Sequence, residues 1–298
     1  MERFAVEQLP DRVEAIQGSL VQGAEALEVS NHDRRSTHWL ILAAWVCLLQ
    51  HALAFTGIRR CVDRLSGLEK KTVGTSTLSR DNELLVIDFG DDENRTDVVW
   101  VETMNVLLDE AEAQALSGPT ALITTGSSKH YSNGLDVEYM AQASRSEIVE
   151  YANSVQKVLS RILTFPAPTV AAVNGHAFGA GAFAILAHDY SVMRADRGFV
   201  CWPEVHLQMS FPRGFMSMIR NSMTPSTARE ATVTGRRYGG PDAVAAGFVD
   251  EAASLDQLMA AASDYGRAHA ANAGSNLAQI KRQLHRATVE LLGNDSPG

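Results

Sequence analysis

The sequence predicts an α/β fold built on a parallel sheet, and two observations predict it. First, short β-rich apolar runs, Leu84 to Phe89, Ala121–Thr125 and Thr169–Val173, alternate with longer stretches whose apolar residues recur at helical spacing. Second, turn residues punctuate the alternation: Gly90, Gly118-Pro119, Pro166 and Pro168. A strand, a helix and a further strand in the same sheet imply a right-handed crossover.

Taken in order, residues 98–115 carry Val98, Val101, Met104, Leu107, Leu108 and Ala111 on one helical face. Residues 127–134 read as a loop, and Asp136 as the cap of a following turn. Residues 147–164 form the next helix. Thr169–Val173 is a buried strand broken by Asn174-Gly175, and Gly179-Ala180-Gly181 opens a buried helix through Ala187. A strand running through small residues into a helix start leaves backbone N–H groups unpaired and open to a ligand. Residues 190–193 and 199–202 read as short strands, the second delivering Glu204 just after Pro203. Helices follow at about 215–221, 225–234 and 241–247, then a small strand at Phe248-Val249 and helices over 255–271 and 278–292.

The chain has 298 residues, 45% hydrophobic and 20% charged, an ordinary globular composition with length for a substantial core. Its net charge of −9 argues against wholesale nucleic-acid binding but leaves room for a polyanionic small ligand. Cys47, Cys61 and Cys201 form neither a disulfide framework nor a metal signature, which fits a reducing, cytoplasmic setting. The sequence divides into an N-terminal extension, 1–74, and a domain over 75–298, with 75–81 as a polar linker. In the extension, residues 39–58 are nearly all apolar, about the length of a membrane span. Three readings stay open for this segment: a membrane anchor, a helix packed on the domain or a partner, or part of an over-extended start.

Three blocks carry a resemblance. They are Lys129-His130-Tyr131-Ser132-Asn133-Gly134-Leu135-Asp136, then Ala172 to Ala177 with Gly179-Ala180-Gly181, Asp189-Tyr190 and Pro203-Glu204, then Ala245 to Asp250. Together they resemble the crotonase superfamily of enoyl-CoA hydratases and isomerases, most of all its Δ3-Δ2-enoyl-CoA isomerase branch. The resemblance implies a crotonase-like fold of stacked ββα turns with a C-terminal helical region that builds trimers or dimers of trimers. It implies an acyl-CoA substrate, no cofactor beyond the CoA that is part of that substrate, and no metal.

The resemblance also assigns roles. Glu204 is the catalytic base, its carboxylate among Trp202, Val205, Leu207 and Met209, where desolvation raises its pKa. The backbone N–H groups of Leu135 and Ala180 form an oxyanion hole. Ser132, Asn133, Gly134, Leu135, Asp136 and Ala180 contact substrate. Phe183 stands where hydratases of the family carry a second glutamate, so one carboxylate is left, which suits moving a proton between two carbons. His176 and His188 read as structural. Lys281, Arg282 and Arg286 read as a basic face, either solvated or reaching a neighbouring subunit's CoA. The expected reaction is isomerisation of 3-enoyl-CoA to trans-2-enoyl-CoA in fatty-acid breakdown. Hydration or another acyl-CoA reaction remains an alternative, as does a non-catalytic binding protein on the same fold.

Overall fold

The computed structural model describes residues 70–294. The expectations for 1–69, the apolar segment 39–58 among them, lie outside the described residues. Among those residues no helix is long and apolar enough to cross a membrane.

The main sheet has seven strands in the order β1-β2-β3-β4-β6-β8-β10. They are β1 (Lys70–Val73), β2 (Ser76–Asp81), β3 (Leu84–Asp88), β4 (Ala121–Thr125), β6 (Thr169–Val173), β8 (Tyr190–Arg194) and β10 (Glu251–Ala253). The first two pairings are antiparallel and the rest parallel. A second, all-parallel sheet of three short strands comprises β5 (His130–Ser132), β7 (His176–Phe178) and β9 (Val200–Cys201).

Each of β4, β6 and β8 is therefore followed by a short strand of the second sheet and then by helix. β4 and β5 lead to α2 (Val137–Gln142) and α3 (Arg145–Leu163), after α1 (Val98–Ser117) has crossed from β3. β6 and β7 lead to α4 (Ala180–Leu186). β8 and β9 lead through a 3-10 turn, Pro203–Val205, to α5 (Arg213–Ser222). A lone parallel bridge from Arg95 to Gly134 gives the β3–α1 turn a rudiment of the same unit. The remaining helices are α6 (Pro225–Thr234), α7 (Gly240–Ala246), α8 (Leu255–His269), α9 (Ser275–Leu284) and α10 (Arg286–Asn294).

Every residue of β4 and β6 is buried, which is why both read as unbroken apolar or small runs. One sheet face packs Leu85, Ile87 and Leu122 against α1 and α3. The other packs Leu84, Ala121, Ile123, Val170 and Val192 against Leu258 and Ala262 of α8. Ser144 and Glu147 exchange a reciprocal capping box at the start of α3.

Several local readings change. The expected linker 75–81 is largely β2, and the sheet already begins at Lys70, before the expected boundary at Thr75. β2 alternates buried and half-exposed residues, so it lacks an apolar run. The expected loop 127–134 contains β5. Phe248 and Val249 are buried below the sheet, and the last strand is 251–253, where Asp250 holds Ser191 N at 2.8 Å and β10 then pairs with β8. The helix expected over 278–292 breaks at His285.

Lys281 also departs from expectation. It is 4% exposed, and its Nζ donates to Ala167 O at 2.8 Å and to Asp189 Oδ2 at 2.5 Å. It is an internal tie between α9 and the β6–β8 edge, not part of a solvated basic face. Asp189 completes the tie by accepting from Thr169 N at 2.7 Å and Thr169 Oγ1 at 3.0 Å.

Candidate active site

The C-terminal ends of β5, β7 and β9 lie side by side, because the three strands are parallel. The loops leaving them carry Leu135, Ala180 and Glu204. The ββα winding thus brings together residues spread over some seventy positions of sequence.

The first two loops touch backbone to backbone. Gly134 has φ +80, and a Cβ there would collide with Phe178 O and lie 3.1 Å from Ala180 N. A Cβ on Gly181 would collide with the Ser132 carbonyl. Glycine is needed at both positions for the approach, which sets the Leu135 and Ala180 amides near each other. Neither amide finds an acceptor among the described residues. Ala180 is also the first residue of α4, so its N–H shares the positive end of the helix.

Glu204 faces this pair. A Cβ added to Gly179 would lie 3.7 Å from Glu204 Oε1. The other oxygen, Oε2, is buried with no hydrogen-bond partner. Burial pushes the carboxyl up to about 7, and the backbone N–H that opposes this is the weaker influence. Glu204 lines a cavity of about 220 Å³ together with Leu135, Met140, Ile148, Met209 and Phe211, and it is the one carboxylate in that lining.

Phe183 lies behind the cavity wall, fully buried. Its ring stacks on Phe215 with centroids 4.1 Å apart and meets Trp202 and Phe211 edge-on at 6.1 Å each. Phe215 itself lines the cavity. No second carboxylate stands at this place.

The side chains of Ser132, Asn133 and Asp136 each bond within the protein. Ser132 is buried and donates to Asn94 O at 2.6 Å. Asn133 donates to Glu93 Oε2 at 3.2 Å. Asp136 caps α2, accepting from Glu138 N at 3.0 Å and Tyr139 N at 3.2 Å, and pairs with Arg95 at 3.0 Å. These three side chains hold the loop in shape; the Leu135 amide stays free and the Leu135 side chain lines the cavity.

The structure also adds residues that spacing alone did not nominate. Ala152, Asn153 and Gln156 of α3 and Pro212 and Arg213 at the start of α5 line the cavity. The helical stripe of α3 was readable, but which side of it faces a cavity depends on where α5 lands.

His188 is half-buried and bonded to Thr124 and Ala184, and His176 packs against His130, Phe178 and Phe199 at the opposite ends of the short strands. Burial, then the positive charges of His130, Lys129, Arg197 and Arg237, hold His176 below the usual histidine range. Neither lines the cavity. Among the described residues no cluster of His, Cys, Asp or Glu could hold a metal ion. Cys201 is buried as a free thiol donating to Gly235 O at 3.3 Å, while Cys47 and Cys61 lie outside the described residues.

Comparisons with known proteins find relatives of this chain. A model of the enoyl-CoA hydratase/isomerase family matches residues 96–294. Enoyl-CoA delta isomerase 2, peroxisomal, of Arabidopsis thaliana is 33% identical over 228 residues, covering 73% of this chain and 95% of the relative. Enoyl-CoA delta isomerase 3 of the same plant is 34% identical over 218 residues, covering 70% of this chain and 91% of the relative. Among solved structures, a probable enoyl-CoA hydratase from Mycobacterium tuberculosis H37Rv superposes with a TM-score of 0.68, covering 74% of this chain and 92% of that one. At 24% identity that likeness shows a shared fold.

Proposed function

Because the chain belongs to the enoyl-CoA hydratase/isomerase family, we propose that it converts a 3-enoyl-CoA to the trans-2-enoyl-CoA by a one-carboxylate proton shuttle. The observation that carries the reading is the lone Glu204 carboxylate, one oxygen of it buried without a partner, beside two free amides, with Phe183 at the place of a second acid. The delta isomerases among its relatives support it.

The thioester oxygen accepts from the Leu135 and Ala180 amides. Glu204, ionised, takes a proton from C2 of the acyl chain. The electron pair left behind spreads over C2–C4 and the thioester oxygen as a dienolate. The two amides hold the charge on that oxygen, each donor contributing roughly 3 kcal/mol to lowering the barrier. The C3=C4 bond shifts to C2=C3 as protonated Glu204 returns its proton to C4. Protons and electrons balance within the substrate, so this route calls for no metal or redox cofactor. A carboxyl near pH 7 in pKa suits both halves, because it accepts and releases with comparable ease. A homotrimer or dimer of trimers belongs to the same reading.

Purified protein given 3-hexenoyl-CoA tests it: conjugated 2-hexenoyl-CoA should accumulate, seen by its ultraviolet absorbance. Conversion of 2-hexenoyl-CoA to the 3-hydroxy compound at a greater rate than isomerisation would favour a hydratase instead. Binding without turnover would favour a non-catalytic protein.

A further inference from the structure

A chain of internal hydrogen bonds, partly buried at its His188 end, joins the two amide-bearing loops from behind. Tyr131 OH lies 2.7 Å from Thr124 Oγ1, Thr124 Oγ1 lies 2.9 Å from His188 Nε2, and His188 Nδ1 lies 2.7 Å from Ala184 O. Tyr131 is on β5, four residues before Leu135, and Ala184 is on α4, one turn beyond Ala180. We infer that His188 is a positioning residue for the amide pair, tying the helix that carries the Ala180 amide to the strand that leads to the Leu135 amide. The inference rests on the proposed reading of those amides as donors to a thioester oxygen.

The direction of the chain follows from its end. A carbonyl oxygen only accepts, so His188 Nδ1 carries the hydrogen and donates to Ala184 O. Nε2 of a neutral imidazole is then the acceptor, and Thr124 must donate to it. Thr124 has spent its hydrogen, so Tyr131 donates to Thr124. Every donor points the same way, from β5 through β4 to α4, and the order holds only while His188 is neutral. It is neutral near pH 7: burial drives the imidazole down to about 4 against the Ala184 hydrogen bond and the nearby Asp189 charge, with Lys281 adding to the depression. Tyr131 keeps its proton because burial raises it well above the usual range.

α4 is a short helix of seven residues with no side-chain cap at its start. Its first residue faces the site, and its last turn is where this polar tether reaches. A misplacement of about 1 Å in a catalytic donor costs on the order of a hundredfold in rate, so a tether at the far end of so short a helix bears on its first amide.

The test compares His188→Leu, His188→Asn and Thr124→Val in the full chain. Turnover of 3-hexenoyl-CoA is measured alongside the thioester C=O stretch of bound hexanoyl-CoA by infrared difference spectroscopy. In the wild type the stretch should fall below its value in solution, because two amides polarise the carbonyl. His188→Leu should return it part of the way and lower kcat roughly tenfold or more while KM changes less than about threefold. His188→Asn places an N–H where Nδ1 stands and keeps the bond to Ala184 O, but it loses the link to Thr124, so it too should move both signals toward those of His188→Leu. Thr124→Val cuts the chain in its middle and should move both signals the same way as His188→Leu; it carries the test if that variant does not fold. Unchanged kcat and carbonyl frequency in both His188→Leu and Thr124→Val overturn the inference, as does His188→Asn behaving like the wild type. A wild type that shifts the carbonyl without isomerising would overturn the proposed reaction and leave the positioning role standing on its spectroscopic arm.

Discussion

Asp136 and Glu204 are the same functional group at matching places: each follows a strand of the small sheet, β5 or β9, by a few residues. Their surroundings differ in partners. Burial works against the Asp136 charge, but the Tyr139 amide, the Arg95 guanidinium and the Glu138 amide outweigh it, and the carboxyl sits below its usual range. Burial dominates at Glu204, and the carboxyl rises to about 7. Satisfying an acid makes it a fixture of the loop, while starving it in an apolar wall makes it a base.

The comparison breaks most sharply at Glu204→Gln. The amide keeps size and polarity but accepts no proton, so turnover should fall on the order of a thousandfold while acyl-CoA still binds. Steady-state kinetics with calorimetric binding separates the two; near-normal turnover would remove Glu204 from the mechanism. Next is Gly134→Ala, which leaves both carboxylates intact. Its Cβ would sit at positive φ against the Phe178 carbonyl and the Ala180 amide, so turnover should drop roughly a hundredfold through displaced donors.

The pH response sharpens the contrast without breaking it. Glu204 must be ionised to start, so kcat/KM should rise with pH and level off above about 7. Stability should run the other way. Folded Glu204 keeps its proton to about pH 7, whereas an unfolded glutamate releases it near 4.5. Its contribution is whole below 4.5 and lost as pH rises through about 7. Asp136, held below its ordinary range, contributes above that range and loses the contribution as pH falls through its lowered value. Chemical denaturation of Glu204→Gln across pH should remove the first slope alone. Smallest is Asp136→Ala, which should cost about 1 kcal/mol of stability as a lost helix cap. Its activity should change only as far as the Leu135 loop loosens.

Much of this was legible in the chain. β4 and β6 announce themselves because both faces are buried, and the place of Glu204 just past a short strand because Pro203 ends an apolar run. β2 escaped because an edge-side strand alternates polar residues, and β5 because its three residues are held by pairing with β7, a contact local sequence does not display. Lys281 read as part of a basic face because its partners, Asp189 and the Ala167 carbonyl, lie some hundred residues upstream. The Ser132 and Asn133 side chains bond within the protein, and a motif does not say whether its side chains or its backbone face outward.

The stacked pair Phe183 and Phe215 restricts the paths by which a lineage could trade one chemistry for another. Changing Phe183 to glutamate alone would set a charge against a buried ring and unpick the contact between α4 and α5, a loss of several kcal/mol before any new reaction could be selected. Shrinking Phe215 first would open the room and admit water to the acid that follows. The order of substitutions, and not their number alone, would decide whether descendants of this chain survive the change, so the isomerase-like arrangement is entrenched by its own packing.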